Sequence, residues 1–209
     1  MDIIINYKNR QLSYRIGIFG GSFDPPHNGH FLCARIAAEK LNLARVLVIP
    51  AAAQPHKNSG AAAPAETRWR MVVAAVSGDP LLEPSRLELD RGGVSYTVDT
   101  LSIVSQQYHL SSDELFLLVG ADALNEIDTW RQPQRILELA RLAVMKRPGD
   151  EIKILPENWL KRIDFIDTPL IDISSTWLRR RAACGLPLCW AVPDNVANII
   201  EQEKLYQTL

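Results

Sequence analysis

Two histidines three residues apart, His27 and His30, close the stretch GIFGGSFDPPHNGH that runs from Gly17 to His30. An apolar run, Ile16 to Phe19, stops at Gly20 and Gly21, passes Asp24, Pro25 and Pro26, and meets the histidines just before a helix-like segment. That is the order strand, phosphate-sized turn, helix start. A helix N-terminus offers N–H groups without partners and a partial positive charge, so phosphate oxygens settle there readily. Imidazoles placed there add two more donors, and their spacing puts them on nearly one face.

The rest of the chain must hold this stretch in place. The segment Phe31 to Leu41 reads as a helix, with Leu32 and Ile36 facing inward and Arg35 and Glu39, four apart, sharing the outer face. Strands are predicted over 45–49, 87–89, 115–119, 142–145 and 164–167, with helices over 65–77, about 95–108, 132–140, 174–184 and 193–204. Ser95 or Thr97 would cap the helix that starts near them, and Pro193 suits the first turn of the last one. Strands and helices alternating in this way make a parallel sheet. The fold class is α/β: a Rossmann-like doubly wound parallel sheet with helices on both faces and a small C-terminal helical part, 174–209. With no internal repeat and no sharp boundary, 1–209 reads as a single domain with an N-terminal extension at 1–14.

In open parallel sheets ligands bind beyond the carboxyl ends of the strands, where the topology changes direction. The unusual clusters, 20–30, 54–57, 120–122 and 174–179, each follow a predicted strand and would converge on one cleft. The Ala, Pro and Gly-rich stretch 51–64 has the length of a connection that binds something.

Composition narrows the classes. Lys and Arg number 23 against 24 Asp and Glu, a formal net charge of -1, which argues against a general nucleic-acid or membrane-surface binder. Cys33, Cys184 and Cys189 form no paired set and read as reduced thiols, and with no secretory leader or membrane-length apolar run the cytoplasm is the expected compartment. The chain would act as a monomer or a homo-oligomer.

The opening stretch is similar to the signature of the nucleotidyltransferase superfamily, His-x-Gly-His after a Gly-rich turn, here His27-Asn28-Gly29-His30 preceded by GGSFDP. Within it the chain most resembles the bacterial nicotinate mononucleotide adenylyltransferases, through QPHK at 54–57, SYTVDTL at 95–101, GADAL at 120–124 followed by Trp130, and ISSTWLR at 173–179. The family's usual Pro-Pro-His-Lys begins here with Gln54. The resemblance implies transfer of the adenylyl group of ATP to nicotinate mononucleotide, with Mg2+ accompanying ATP and no side-chain metal ligands. Other superfamily members, of phosphopantetheine adenylyltransferase or cytidylyltransferase type, and a nucleotide sensor without catalysis are the competing readings.

The same resemblance assigns roles. His27, His30 and Arg179 are the catalytic set; Gly20, Asp122, Ser174 and Ser175 join them around ATP; Gly21, Ser22, Lys57, Tyr96, Thr97 and Trp130 hold the pyridine nucleotide. Several carry a plainer alternative: Asp24 either serves the site or only braces its turn, Trp130 either stacks or fills core, Asp122 either meets ribose or caps a helix, and Lys57 either reaches phosphate or decorates the surface.

Overall fold

The computed structural model describes residues 14–53 and 61–207. Six segments form strands: β1 (Ile16–Gly21), β2 (Arg45–Pro50), β3 (Leu82–Pro84), β4 (Leu115–Gly120), β5 (Arg141–Lys146) and β6 (Ile163–Asp167). They lie parallel in one sheet of order β3-β2-β1-β4-β5-β6. The unbroken apolar runs VLVI and LFLLV take inner strands because an all-parallel sheet is covered on both faces.

The connections are α1 (Asn28–Lys40), α2 (Ala65–Val76), α3 (Leu87–Arg91), α4 (Thr97–Gln107), α5 (Ala121–Asn125), α6 (Pro133–Leu139), α7 (Glu157–Leu160), α8 (Ser175–Ala183) and α9 (Asp194–Gln202). On one face Ala34, Ala37 and Ala38 of α1 and Val72 and Val76 of α2 cover Val46, Val48 and Leu118. On the other, Val98, Leu101 and Val104 of α4 and Ile136 and Leu137 of α6 cover Ile18, Leu117 and Val119. A third cluster joins Met71 of α2 to Leu178 of α8 and Val196 and Ile200 of α9. Among the described residues no helix is long and apolar enough to cross a membrane.

Local details depart from the sequence reading. Residues 87–89 are helical within α3, and the edge strand lies earlier, at 82–84. Leu-Glu-Leu satisfies both periods, and the helix is ended by Gly92 in the left-handed region, φ 68°. The short α7 was not anticipated. On α1 the three alanines face the sheet, which lets the helix sit close; Ile36 packs against that core from its edge, whereas Leu32 is exposed, contrary to expectation. Arg35 does pair with Glu39, at 2.8 Å, and also with Asp79 at 2.7 Å. Neither Ser95 nor Thr97 caps α4: Tyr96 is at the cap position, no side chain caps the helix, and the Ser95 hydroxyl accepts from the Ala52 amide instead. Asp194 opens α9, with Pro193 one position before it.

The two central strands are unequally joined. β1 pairs with β2 along its whole length, Ile16 opposite Arg45 to Gly21 opposite Pro50. Its ladder with β4 covers only Ile16 to Ile18 opposite Leu115 to Leu117. Beyond that the strands part into a fork, and the fork is the topological switch point.

Candidate active site

The fork opens into a cleft of about 760 Å³, lined by Phe19, Gly20 and Gly21 on one prong and Val119 and Gly120 on the other. Its remaining wall comes from the start of α4 and the turn after α5, bringing Tyr96, Thr97 and Trp130 to face the fork. Trp130 also packs against the core cluster beneath, so stacking surface and core filler are both open to one indole. The uncapped first turn of α4 leaves amide donors at the cleft wall.

At the tip of β1 the chain turns into α1. His27 is the residue before the helix and His30 its third residue, and their rings stack with centroids 3.5 Å apart. The backbone N–H of His27 donates to His30 Nδ1 at 3.1 Å, which leaves the His30 proton on Nε2. Phe19, Phe23 and Phe31 pack edge-on around His30. This apolar jacket disfavours charge: burial takes His27 from 6.5 to about 4, and burial with repulsion from His27 pushes His30 well below its ordinary value. His27 Nδ1 is buried and makes no hydrogen bond. Gly29 permits this, since a Cβ there would stand 3.2 Å from that nitrogen.

The start of α8 meets the same turn. The Ser175 hydroxyl donates to the Pro25 carbonyl at 2.8 Å and Arg179 Nη1 to the Asp24 carbonyl at 2.7 Å. Ser174 caps α8, its hydroxyl accepting from the Trp177 amide at 3.2 Å. The loop before α9 closes the far side, with Asn28 donating from its side chain to the Trp190 carbonyl at 2.7 Å and from its amide to Ala191.

Asp24 braces. Its carboxylate accepts from the amides of Ala62 and Ala63 and from the Tyr206 hydroxyl. Asp122 stands exposed just past β4, 3.6 Å from Arg147. Gln54 to Lys57 and the extension before Tyr14 lie outside the described residues.

Sequence reasoning passed over several groups. Arg131 lines the cleft with its guanidinium 4.5 Å above the Tyr96 ring, a cation–π pair signalled only by its place beside Trp130. Glu88 also lines the cleft, buried and accepting from Thr100 at 2.6 Å. Arg68 and Tyr206 gave no signal, because their partners are distant in sequence.

Two histidines at a helix start, a fork at the switch point and an arginine bonded to the turn that leads to that helix thus stand together past the carboxyl end of β1. The cytidylyltransferase-like family model matches residues 18–181. A probable nicotinate-nucleotide adenylyltransferase of Thermus thermophilus is 45% identical, over 92% of this chain and 100% of that protein. One from Corynebacterium glutamicum is 40% identical over 92% of this chain and 88% of its own. Among solved structures, a Plasmodium falciparum nicotinic acid mononucleotide adenylyltransferase complexed with NaAD shares the fold at a TM-score of 0.70 and 17% identity, covering 92% of this chain and 97% of that one. On a family match through most of the sequence and relatives at this identity, the chain belongs to the nicotinate-nucleotide adenylyltransferase family.

Proposed function

We propose that the protein transfers the adenylyl group of ATP to nicotinate mononucleotide, giving deamido-NAD and pyrophosphate, a step of NAD biosynthesis. The observation that carries this is the stacked, uncharged pair His27 and His30 at the head of α1, reached by the turn that follows the β1 prong of an aromatic-walled cleft.

A phosphate oxygen of the mononucleotide attacks the α-phosphorus of ATP in line, and the P–O bond to pyrophosphate breaks. The protein's work is alignment and charge stabilisation. The pyridine ring stacks on Trp130, with its carboxylate at the amide donors of Tyr96 and Thr97. The mononucleotide phosphate sits over Gly21 and Ser22. His27 and His30 donate to the phosphate oxygens around the transferred phosphorus. Because both are neutral, they bind as hydrogen-bond donors and remain so across the physiological pH range. Arg179 meets the β- and γ-phosphates by its planar fork and leaves with them neutralised. Ser174, Ser175 and Gly20 border the nucleotide, and Asp122 is placed for its ribose.

Magnesium would accompany ATP and would supply charge neutralisation at its phosphates. A hard divalent cation of this kind would be held mainly by the triphosphate oxygens.

The test is pyrophosphate release from ATP and magnesium with nicotinate mononucleotide, nicotinamide mononucleotide and phosphopantetheine offered in turn. Release is expected with nicotinate mononucleotide. Silence with both pyridine nucleotides would sink the reading, and release with phosphopantetheine alone would replace it.

A further inference from the structure

Tyr206 stands near the end of the chain, yet its hydroxyl donates to Asp24 Oδ1 at 2.8 Å. Both residues are buried, at 7% and 4% exposure. Asp24 Oδ1 also accepts from the Ala63 amide at 3.1 Å, and Oδ2 from the Ala62 amide at 2.6 Å. One carboxylate thus joins the turn after β1, the residues leading into α2 and the C-terminal segment. Arg68 of α2 reinforces the junction, donating to the carbonyls of Ser22 at 2.9 Å, Ala63 at 3.3 Å and Ala52 at 3.4 Å. A buried carboxylate and guanidinium are costly unless their hydrogen bonds are placed, and here they are. The adenylyl transfer as described uses neither.

Two backbone outliers flank the junction. Phe23, beside Asp24, has φ 47°, and Tyr206 has φ 64°. Bulky side chains rarely take the left-handed region, and they persist there where the surroundings over-determine them, a condition concentrated at functional sites. The outward side of the same turn is the one that meets α8: the Asp24 carbonyl accepts from Arg179 Nη1 at 2.7 Å, and the adjoining Pro25 carbonyl from Ser175 at 2.8 Å. Arg179 Nη2 donates to Thr176 Oγ1 at 3.2 Å. With two donors anchored in this way, the other N–H groups of the guanidinium have a fixed direction.

We propose that Tyr206 and Asp24 are positioning residues for the transfer: the hydroxyl fixes the Asp24 turn from behind, and the turn's carbonyl aims Arg179 at the triphosphate. The proposal rests on the adenylyl-transfer reading above. It makes the C-terminal segment part of the ATP side of the site, acting through the Asp24 turn.

Tyr206→Phe keeps the ring among Ala63, Met71 and Leu178 and deletes only the hydroxyl. Steady-state kinetics are to be measured on the full chain below its melting temperature, with folding checked by circular dichroism. The expected result is a fall in kcat of about tenfold with KM for nicotinate mononucleotide within about twofold of the unaltered protein, because the Trp130 side of the cleft is untouched. In an Arg179→Lys background the same substitution is expected to cost less than about twofold more, since the effect runs through Arg179. A merely structural hydroxyl would give additive losses, and that result overturns the proposal. Asp24→Asn, which cannot accept from Ala62, Ala63 and Tyr206 together, is a second variant and must reproduce the loss of kcat. Full kcat in both variants overturns this proposal alone, whereas no turnover in the unaltered protein overturns the activity reading and this one with it.

Discussion

The imidazoles of His27 and His30 lie face to face, 3.5 Å between centroids and 20° from parallel. Two cations would repel strongly at that distance in an apolar jacket, so the geometry itself selects the neutral pair. On the proposed reading, phosphate would be bound by uncharged donors beside one fixed guanidinium, Arg179. In the proposed transfer such donors would hold the reacting phosphorus without trapping the departing pyrophosphate.

That neutrality has a cost in acid. His27 titrates near 6.5 in the unfolded chain and at about 4 in the folded one. Below pH 6.5 the unfolded chain takes up a proton that the folded chain refuses, so stability falls as pH drops from about 6.5 towards 4 and levels off beneath. The span is worth about 3 kcal/mol. Denaturant unfolding at a series of pH values should show this slope in the unaltered protein and a shallower one in His27→Gln.

Removing either donor should leave the fold and take the rate. His27→Ala and His30→Ala are each expected to lower kcat by about 100-fold or more, the loss typical of a donor aimed at developing charge. Far-UV circular dichroism should be unchanged. A folded double variant with full turnover would exclude the assigned role.

Gly29 separates activity from stability. A Cβ there would meet His27 Nδ1 at 3.2 Å, His27 Cε1 at 3.3 Å and Ile171 Cγ2 at 3.3 Å. Gly29→Ala gains about 0.5–1 kcal/mol of helix preference, which offsets part of the crowding. The His27 ring must give way, so kcat should fall about tenfold while the melting temperature moves by no more than about 3 °C. Paired kinetics and thermal melts decide it.

Gly17 is the opposite case, a glycine away from the chemistry. Its Cβ would stand 2.9 Å from Leu43 Cδ1 and 3.0 Å from Leu118 Cδ1 and Val46 Cγ2, side chains sealed in the core between α1 and the sheet. Gly17→Ala should destabilise by about 1 kcal/mol, lowering the melting temperature by about 2–4 °C with KM for both substrates unchanged. Calorimetry and kinetics on one preparation check both halves.

What could be read in the sequence was whatever is written locally. The runs ending in Gly21 and Gly120 announced β1 and β4, and HNGH after a glycine turn announced a phosphate-facing helix start. Three residues such as 87–89 could not choose between helix and strand, because both periods fit them and only the packing decides. On α1 Leu32 was misplaced because it is strongly apolar, whereas the sheet face is taken by the smaller Ala34, Ala37 and Ala38 with Ile36 at its edge. Asp24 illustrates the remaining limit: its hydrogen-bonding turn was visible, but its partners were not. The Tyr206 hydroxyl reaches it across 182 positions, and Ala62 and Ala63 have no side-chain chemistry to advertise the bond.

The early end of the ladder between β1 and β4 places a further demand on the chain. The prongs beyond Ile18 and Leu117 present peptide groups, which every residue except proline carries alike, so side chains there can be exchanged without erasing the donors and acceptors. What must be kept is a count: three paired rungs, then divergence. An insertion or deletion within either strand would shift the opening along the sheet and carry the turn bearing His27 with it, so length is guarded here more strictly than spelling.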